Sequence, residues 1–187
     1  MTKKTLNQNA KYVHKLVKLI EPNFNFKNSA INRFKINKDI KVSNNTNKIG
    51  EISNLKKKIN SIENCNLKNN SKNLVMGSGD INSPIMIIGE TPGEAEDLSG
   101  LAFQKDIGDL LNKMLLAIDL KKEKIYLTYS INYRPPLDRK PTTQEIKRYS
   151  YFLKEHISII NPKIVVLMGS TAMEAVTGLK NSISTER

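Results

Sequence analysis

The sequence predicts an α/β fold of three layers, with helices on both sides of a central parallel sheet, and three observations carry that prediction. Apolar runs at Ile85 to Gly89, Ile125 to Ser130 and Ile164 to Met168 read as buried strands. Helical patterns at about 106–118, 143–160 and 170–177 alternate with them, as crossovers between parallel strands require. The middle helix also carries its own start signal, since Thr142 with Glu145 three residues later forms a capping box and Pro141 stops the preceding loop.

Taken from the N-terminus, Leu6, Ala10, Val13, Leu16, Val17 and Ile20 recur at helical spacing, and Pro22 ends that helix. From Asn23 to about Gly50 the chain is rich in Asn, Lys and Ser and has too few apolar residues to order itself, so it reads as a linker. A second helix is expected over about 51–64, with Ile52, Leu55, Ile59 and Ile62 on one face. The expected organisation is a basic N-terminal helix and linker over 1–50, followed by one α/β domain over 51–187. No internal repeat is visible.

The formal charge of +12 is unevenly spread. Residues 1–80 hold 16 basic and 5 acidic side chains, whereas 81–187 hold 14 and 13. A basic arm on a nearly neutral domain gains affinity for a polyanion through phosphate contacts and counterion release; a merely solvated Lys/Asn-rich segment is the alternative. The single cysteine, Cys65, excludes an intramolecular disulfide, and no apolar run near the N-terminus is long enough for a signal peptide or a membrane span. A cytoplasmic monomer that does not engage membranes is expected.

The most informative stretch is Gly89-Glu90-Thr91-Pro92-Gly93-Glu94-Ala95-Glu96-Asp97, which follows the first strand. A buried strand that ends in Gly-Glu and then breaks on Pro and Gly delivers a carboxylate and free backbone N–H groups to a sheet edge, where α/β folds bind ligands. Ala102-Phe103, Gly108-Asp109-Leu110-Leu111, Asn132-Tyr133-Arg134-Pro135-Pro136 and Arg139-Lys140-Pro141-Thr142 follow in order. In this order and spacing the motifs resemble the family-four uracil-DNA glycosylases, over roughly Ile52 to Arg187.

The resemblance implies a uracil-DNA glycosylase fold and a hydrolase of base excision repair, which cleaves the N-glycosidic bond of deoxyuridine in DNA after flipping the nucleotide out. It implies catalytic roles for Glu90 and Glu96, a uracil pocket of Gly89, Thr91, Pro92, Gly93 and Phe103, and DNA contacts from Arg134, Arg139 and Ser170. Tyr129 stands where the family has a uracil-reading Asn, and a phenol cannot offer the paired donor and acceptor of an amide. The family's four iron–sulfur ligand positions correspond to Ile62, Cys65, Tyr133 and Tyr149, and one thiolate cannot retain a [4Fe-4S] cluster, so no cofactor is expected. The family's His-Pro turn should lie beyond Gly178-Leu179, so the domain is expected to be incomplete at its C-terminus and feebly active. His14 and His156 are expected to be structural. The rival readings are a catalytically silent DNA-binding relative and a nucleotide- or phosphate-binding α/β enzyme, although the latter lacks a Walker lysine or a Rossmann glycine pattern.

Overall fold

The computed structural model describes residues 45–180. The helix expected over 6–20, His14 and the linker as far as residue 44 lie outside the described residues. The elements are α1 (Asn45–Asn60), α2 (Asn66–Asn70), β1 (Ser78–Gly79), β2 (Ile85–Gly89), α3 (Glu94–Ser99), α4 (Lys105–Leu116), β3 (Tyr126–Tyr129), α5 (Thr143–Ile160), β4 (Ile164–Leu167) and α6 (Ser170–Thr177). Short 3-10 turns occupy Lys122–Lys124 and Pro136–Asp138.

The sheet runs β1-β3-β2-β4. β3 and β4 flank β2 in parallel, with Gly89 beside Tyr129 and Ile88 beside Leu167. The expectation of a wholly parallel sheet needs one correction. β1 pairs antiparallel with β3, Ser78 facing Leu127, so the sheet is mixed. Two residues are too short to show a side-chain period, which is why the sequence pattern missed this strand.

Alternation along the strands separates two apolar layers. Met86, Ile88 and Tyr126 point to one face, where Leu55 and Ile59 of α1, Ile146, Tyr149 and Leu153 of α5, and Ala172 and Ala175 of α6 cover them. Ile87, Leu127 and Tyr129 point to the other, against Leu111 and Leu115 of α4. This is the expected helix, sheet, helix sandwich. Burying side chains of this size stabilises the fold by about 1.5–3 kcal/mol each, before the entropy of ordering the chain is counted.

The start of α5 is built as the sequence implies. Thr142 Oγ1 accepts from the Glu145 N–H at 3.3 Å, and Glu145 Oε2 accepts from the Thr142 N–H at 2.7 Å. Lys48 ties α1 to the end of α5 by donating to the Ile160 carbonyl at 2.8 Å. On edge strand β4, Ile164, Val165 and Val166 are exposed and Leu167 is half-buried. Among the described residues, no helix is long and apolar enough to cross a membrane.

Candidate active site

Because β2 and β3 are parallel neighbours, both deliver their carboxyl ends to the same edge of the sheet. A cleft of about 460 Å³ opens there, lined by Gly89, Glu90, Thr91, Pro92, Gly93, Phe103 and Tyr129, with Ile107, Asp138 and Met168 completing the wall. Seven residues expected from sequence therefore meet in one place. Of the three that sequence reasoning missed, Met168 was legible as the residue ending the third strand run, and Ile107 as a helix position four after Phe103. Asp138 had no such signal, since its place depends on a left-handed turn.

Glu90 fastens two strand ends together. Its Oε1 accepts from the Thr171 N–H at 2.9 Å and from Ser170 Oγ at 3.4 Å, so the carboxylate sits at the positive end of α6. Its backbone carbonyl accepts from the Ile131 N–H at 3.3 Å and from the Ser130 hydroxyl. Gly169 makes the approach possible: its φ is +102°, and a Cβ there would lie 2.4 Å from Glu90 Cδ. No hydrogen bond reaches Glu90 Oε2 from another described residue, and Glu90 lines the cleft.

Phe103 and Tyr129 form the aromatic side of the cleft. Their rings stack with centroids 4.8 Å apart and planes 17° from parallel. The Phe103 N–H donates to the Tyr129 hydroxyl at 3.2 Å, and Lys122 Nζ donates to the Phe103 carbonyl at 2.7 Å, holding Phe103 at a left-handed φ of +52°. A Cβ on Gly89 would come within 2.7 Å of the Tyr129 ring, so only glycine lets the phenol lie this close to the strand. Burial, followed by the nearby Glu96 carboxylate, pushes the Tyr129 phenol above its ordinary range. The ring is neutral at any physiological pH.

Several of the expected site residues are engaged by partners within the chain. Glu96 is 2% exposed, and its two oxygens accept from the Gly93 N–H at 3.0 Å and the Gln104 N–H at 2.8 Å. It braces the loop across α3 and stands outside the cleft lining, where a catalytic carboxylate was expected. The Glu96 contact with the Gly93 N–H is the N3 half of a capping box, and glycine has no side chain to supply the other half. Asp97 is also buried and accepts from the Lys72 and Asn73 N–H groups. Asn132 does not replace the missing cleft amide, because its Nδ2 donates to the Val75 carbonyl at 2.9 Å.

The arginines are paired within the chain. Arg134 clasps both oxygens of Asp138 at 2.7 and 2.8 Å, and Arg139 clasps both oxygens of Glu145 at 2.9 and 2.7 Å. The second pair holds the Glu145 carboxyl down at about 2. Ser170 is exposed beside Glu90, and the carboxylate already occupies the start of α6.

The four positions implied as cluster ligands do converge. Cys65, Tyr133 and Tyr149 are buried in one core with Ile62 packed against it. Cys65 Sγ lies 3.4 Å from the Tyr149 hydroxyl, the Tyr133 hydroxyl donates to Asn60 Oδ1 at 2.8 Å, and the two phenol rings meet edge to face at 6.4 Å. Burial pushes the Tyr133 phenol up to about 12. One thiol, two neutral phenols and an isoleucine do not fit a cubane that needs four thiolates. Among the described residues, no group of three or more His, Cys, Asp and Glu side chains is placed to hold a metal ion.

A three-layer α/β domain with an aromatic-floored cleft at the carboxyl ends of its parallel strands defines the class, and the sequence comparisons give the family within it. The family model of the Uracil DNA glycosylase superfamily matches residues 76–186, and the chain belongs to that superfamily. Its similarity is to the type-4 branch. A type-4 uracil-DNA glycosylase from Thermotoga maritima is 38% identical over 63% of this chain and 62% of that protein. Proteins of the same name from Archaeoglobus fulgidus (34%, over 60% and 57%) and Sulfurisphaera tokodaii (40%, over 52% and 44%) are also similar. The chain thus spans about 62% or less of the length of these relatives.

Proposed function

We propose that this protein is a type-4-like uracil-DNA glycosylase that hydrolyses the N-glycosidic bond of deoxyuridine in DNA. The convergence of the Gly89 to Gly93 loop, Phe103 and Glu90 on one cleft carries the reading. A flipped nucleotide would place its base between the Gly89 to Gly93 loop, whose Gly93 N–H is held by Glu96, and the aromatic wall. As the bond between C1′ and the base nitrogen breaks, the sugar becomes cationic and the base leaves as an anion. Glu90, with one oxygen anchored on α6, presents the other to the sugar side, stabilises that cation and orients the water that adds to C1′. The water proton passes to the departing base, and an abasic site remains. In this reading Glu96 shapes the loop and takes no part in the bond breaking.

DNA would be held by the loop bearing Arg134 and Arg139, by the exposed Ser170 and by the basic N-terminal arm, in a protein acting as a cytoplasmic monomer without an iron–sulfur cluster. Stoichiometric iron in the purified protein would overturn the last point. One observation favours a second reading, a DNA-binding relative without activity: Tyr129 already covers one face of Phe103, a surface on which a base could stack.

The test is incubation of the protein with labelled single-stranded and duplex oligonucleotides carrying one uracil, followed by alkaline cleavage. Uracil-dependent strand breaks that Glu90→Gln slows about 10²–10³-fold support the enzyme. Binding without cleavage selects the silent relative, and binding to neither form rejects both.

A further inference from the structure

Phe103 is the ring against which a flipped base would lie, yet its backbone is one that phenylalanine seldom adopts. Its φ is +52°, and that of Lys105, two residues on, is +49°. Such a conformation persists only where the surroundings fix it. Both backbone polar groups of Phe103 are taken by side chains from elsewhere in the chain: the N–H by the Tyr129 hydroxyl at 3.2 Å, and the carbonyl by Lys122 Nζ at 2.7 Å, 19 residues away. The second contact depends on α4 as well. A Cβ on Gly108 would lie 2.0 Å from the Phe103 carbonyl oxygen and 3.2 Å from Lys122 Nζ, so the helix leaves a gap in which the two meet. Gly108 has no positive φ, and the need for glycine there is one of space. Lys122 forms no ion pair among the described residues. It stands in the turn before β3, whereas the cleft opens at that strand's other end, so its ammonium serves the loop from outside the cleft.

We propose that Lys122 is a positioning residue for base capture, which sets the Phe103 ring in the cleft by holding the Phe103 carbonyl. The inference rests on the DNA glycosylase reading and deepens it. Without that donor the carbonyl is left unpaired beside α4, the Phe103 backbone relaxes towards the extended range, and the ring leaves the place where a flipped base would stack. Stacking holds the base equally before and during bond breaking, so its loss raises KM and leaves kcat near the parent value.

The test uses the full chain. Exchange of the Phe103 amide, followed by NMR on protein labelled at phenylalanine nitrogen, should quicken about tenfold or more in Lys122→Met and return near the parent rate in Lys122→Arg, which keeps a donor. Gly108→Ala, a favourable change for a helix, should act like Lys122→Met because its Cβ displaces the carbonyl, and it gives the same test should Lys122→Met not fold. On single-stranded uracil DNA, Lys122→Met should raise KM about tenfold with kcat within about twofold, a factor in the range of base stacking on an aromatic ring. Joined to Phe103→Ala it should add nothing, since both changes remove the same stack. Unaltered amide exchange in Lys122→Met, or KM effects that multiply in the double variant, overturns the latch. If the unaltered chain excises nothing, the glycosylase reading fails, and the exchange rates, with Kd for the same DNA in place of KM, decide the latch.

Discussion

Replacing Glu90 separates what that residue does for the fold from what it does for chemistry. Its Oε1 accepts from the N–H of Thr171, a buried residue at the start of α6. Removing the acceptor costs about 1.5–3 kcal/mol for a charge-assisted hydrogen bond, and loss of a negative charge at a helix N-terminus adds about 0.3–1 kcal/mol. Glu90→Ala should therefore destabilise by about 2–4 kcal/mol, which in a protein of this size lowers Tm by roughly 4–16 °C. Glu90→Gln keeps an acceptor and loses only the charge, at about 1 kcal/mol. Gly169→Ala attacks the same contact from the other side, because its Cβ would overlap the carboxylate at a φ that alanine rarely adopts, and should be at least as harmful. Thermal melting followed by circular dichroism gives each shift, and excision by the still-folded Glu90→Gln protein isolates the role of the charge. A Glu90→Ala protein that melts within about 1 °C of the parent would refute the anchoring argument.

Tyr129→Asn removes the ring that covers Phe103 and supplies an amide donor and acceptor, so uracil excision should rise about tenfold or more, while loss of a buried aromatic costs roughly 3–5 kcal/mol of stability; unchanged or slower excision by folded protein would contradict this. His156 is buried against the Tyr126 hydroxyl at 2.8 Å, and burial pushes its pKa down to about 4. The unfolded chain binds that proton near pH 6.5, so stability should fall as pH drops from about 6.5 to about 4, by about 3 kcal/mol in total. The double variant Tyr126→Phe with His156→Leu should flatten that part of the urea-stability profile, and an unaltered slope would show another group at work. Changing Lys3, Lys4, Lys11, Lys15 and Lys18 to Gln should reduce the salt slope of DNA binding by up to about 4, and identical slopes would make the arm a bystander.

The residues that announced themselves in the sequence were those whose role is set by their own neighbourhood. The run from Ile85 to Gly89, the Thr142 box and the Leu55 and Ile59 spacing each express a local period or cap and fold as read, although the helix expected over about 51–64 runs Asn45–Asn60 and leaves Ile62 beyond its end. The cleft residues were legible because a strand end fixes where the next residues emerge. What stayed hidden depends on partners far along the chain. Glu96 could not be told from a cleft carboxylate until Gln104 was seen to donate to it, and Arg139 could not be told from a free cation until Glu145 was beside it. Tyr129 was readable as a departure, but its stacking on Phe103 is a three-dimensional fact.

The seam where α1, α2, the segment after β3 and α5 meet also has a consequence for measurement. It is closed by a phenol beside a thiol, a phenol on an amide and edge-to-face rings, all of which part and re-form without breaking a covalent or coordinate bond. At 4% exposure the sulfur of Cys65 meets solvent chiefly when that seam opens. With only one thiol in the chain, the rate at which a maleimide or disulfide reagent labels the protein is a clock for that single opening event. Read against denaturant, the clock gives the free energy of unzipping this corner separately from that of the whole fold.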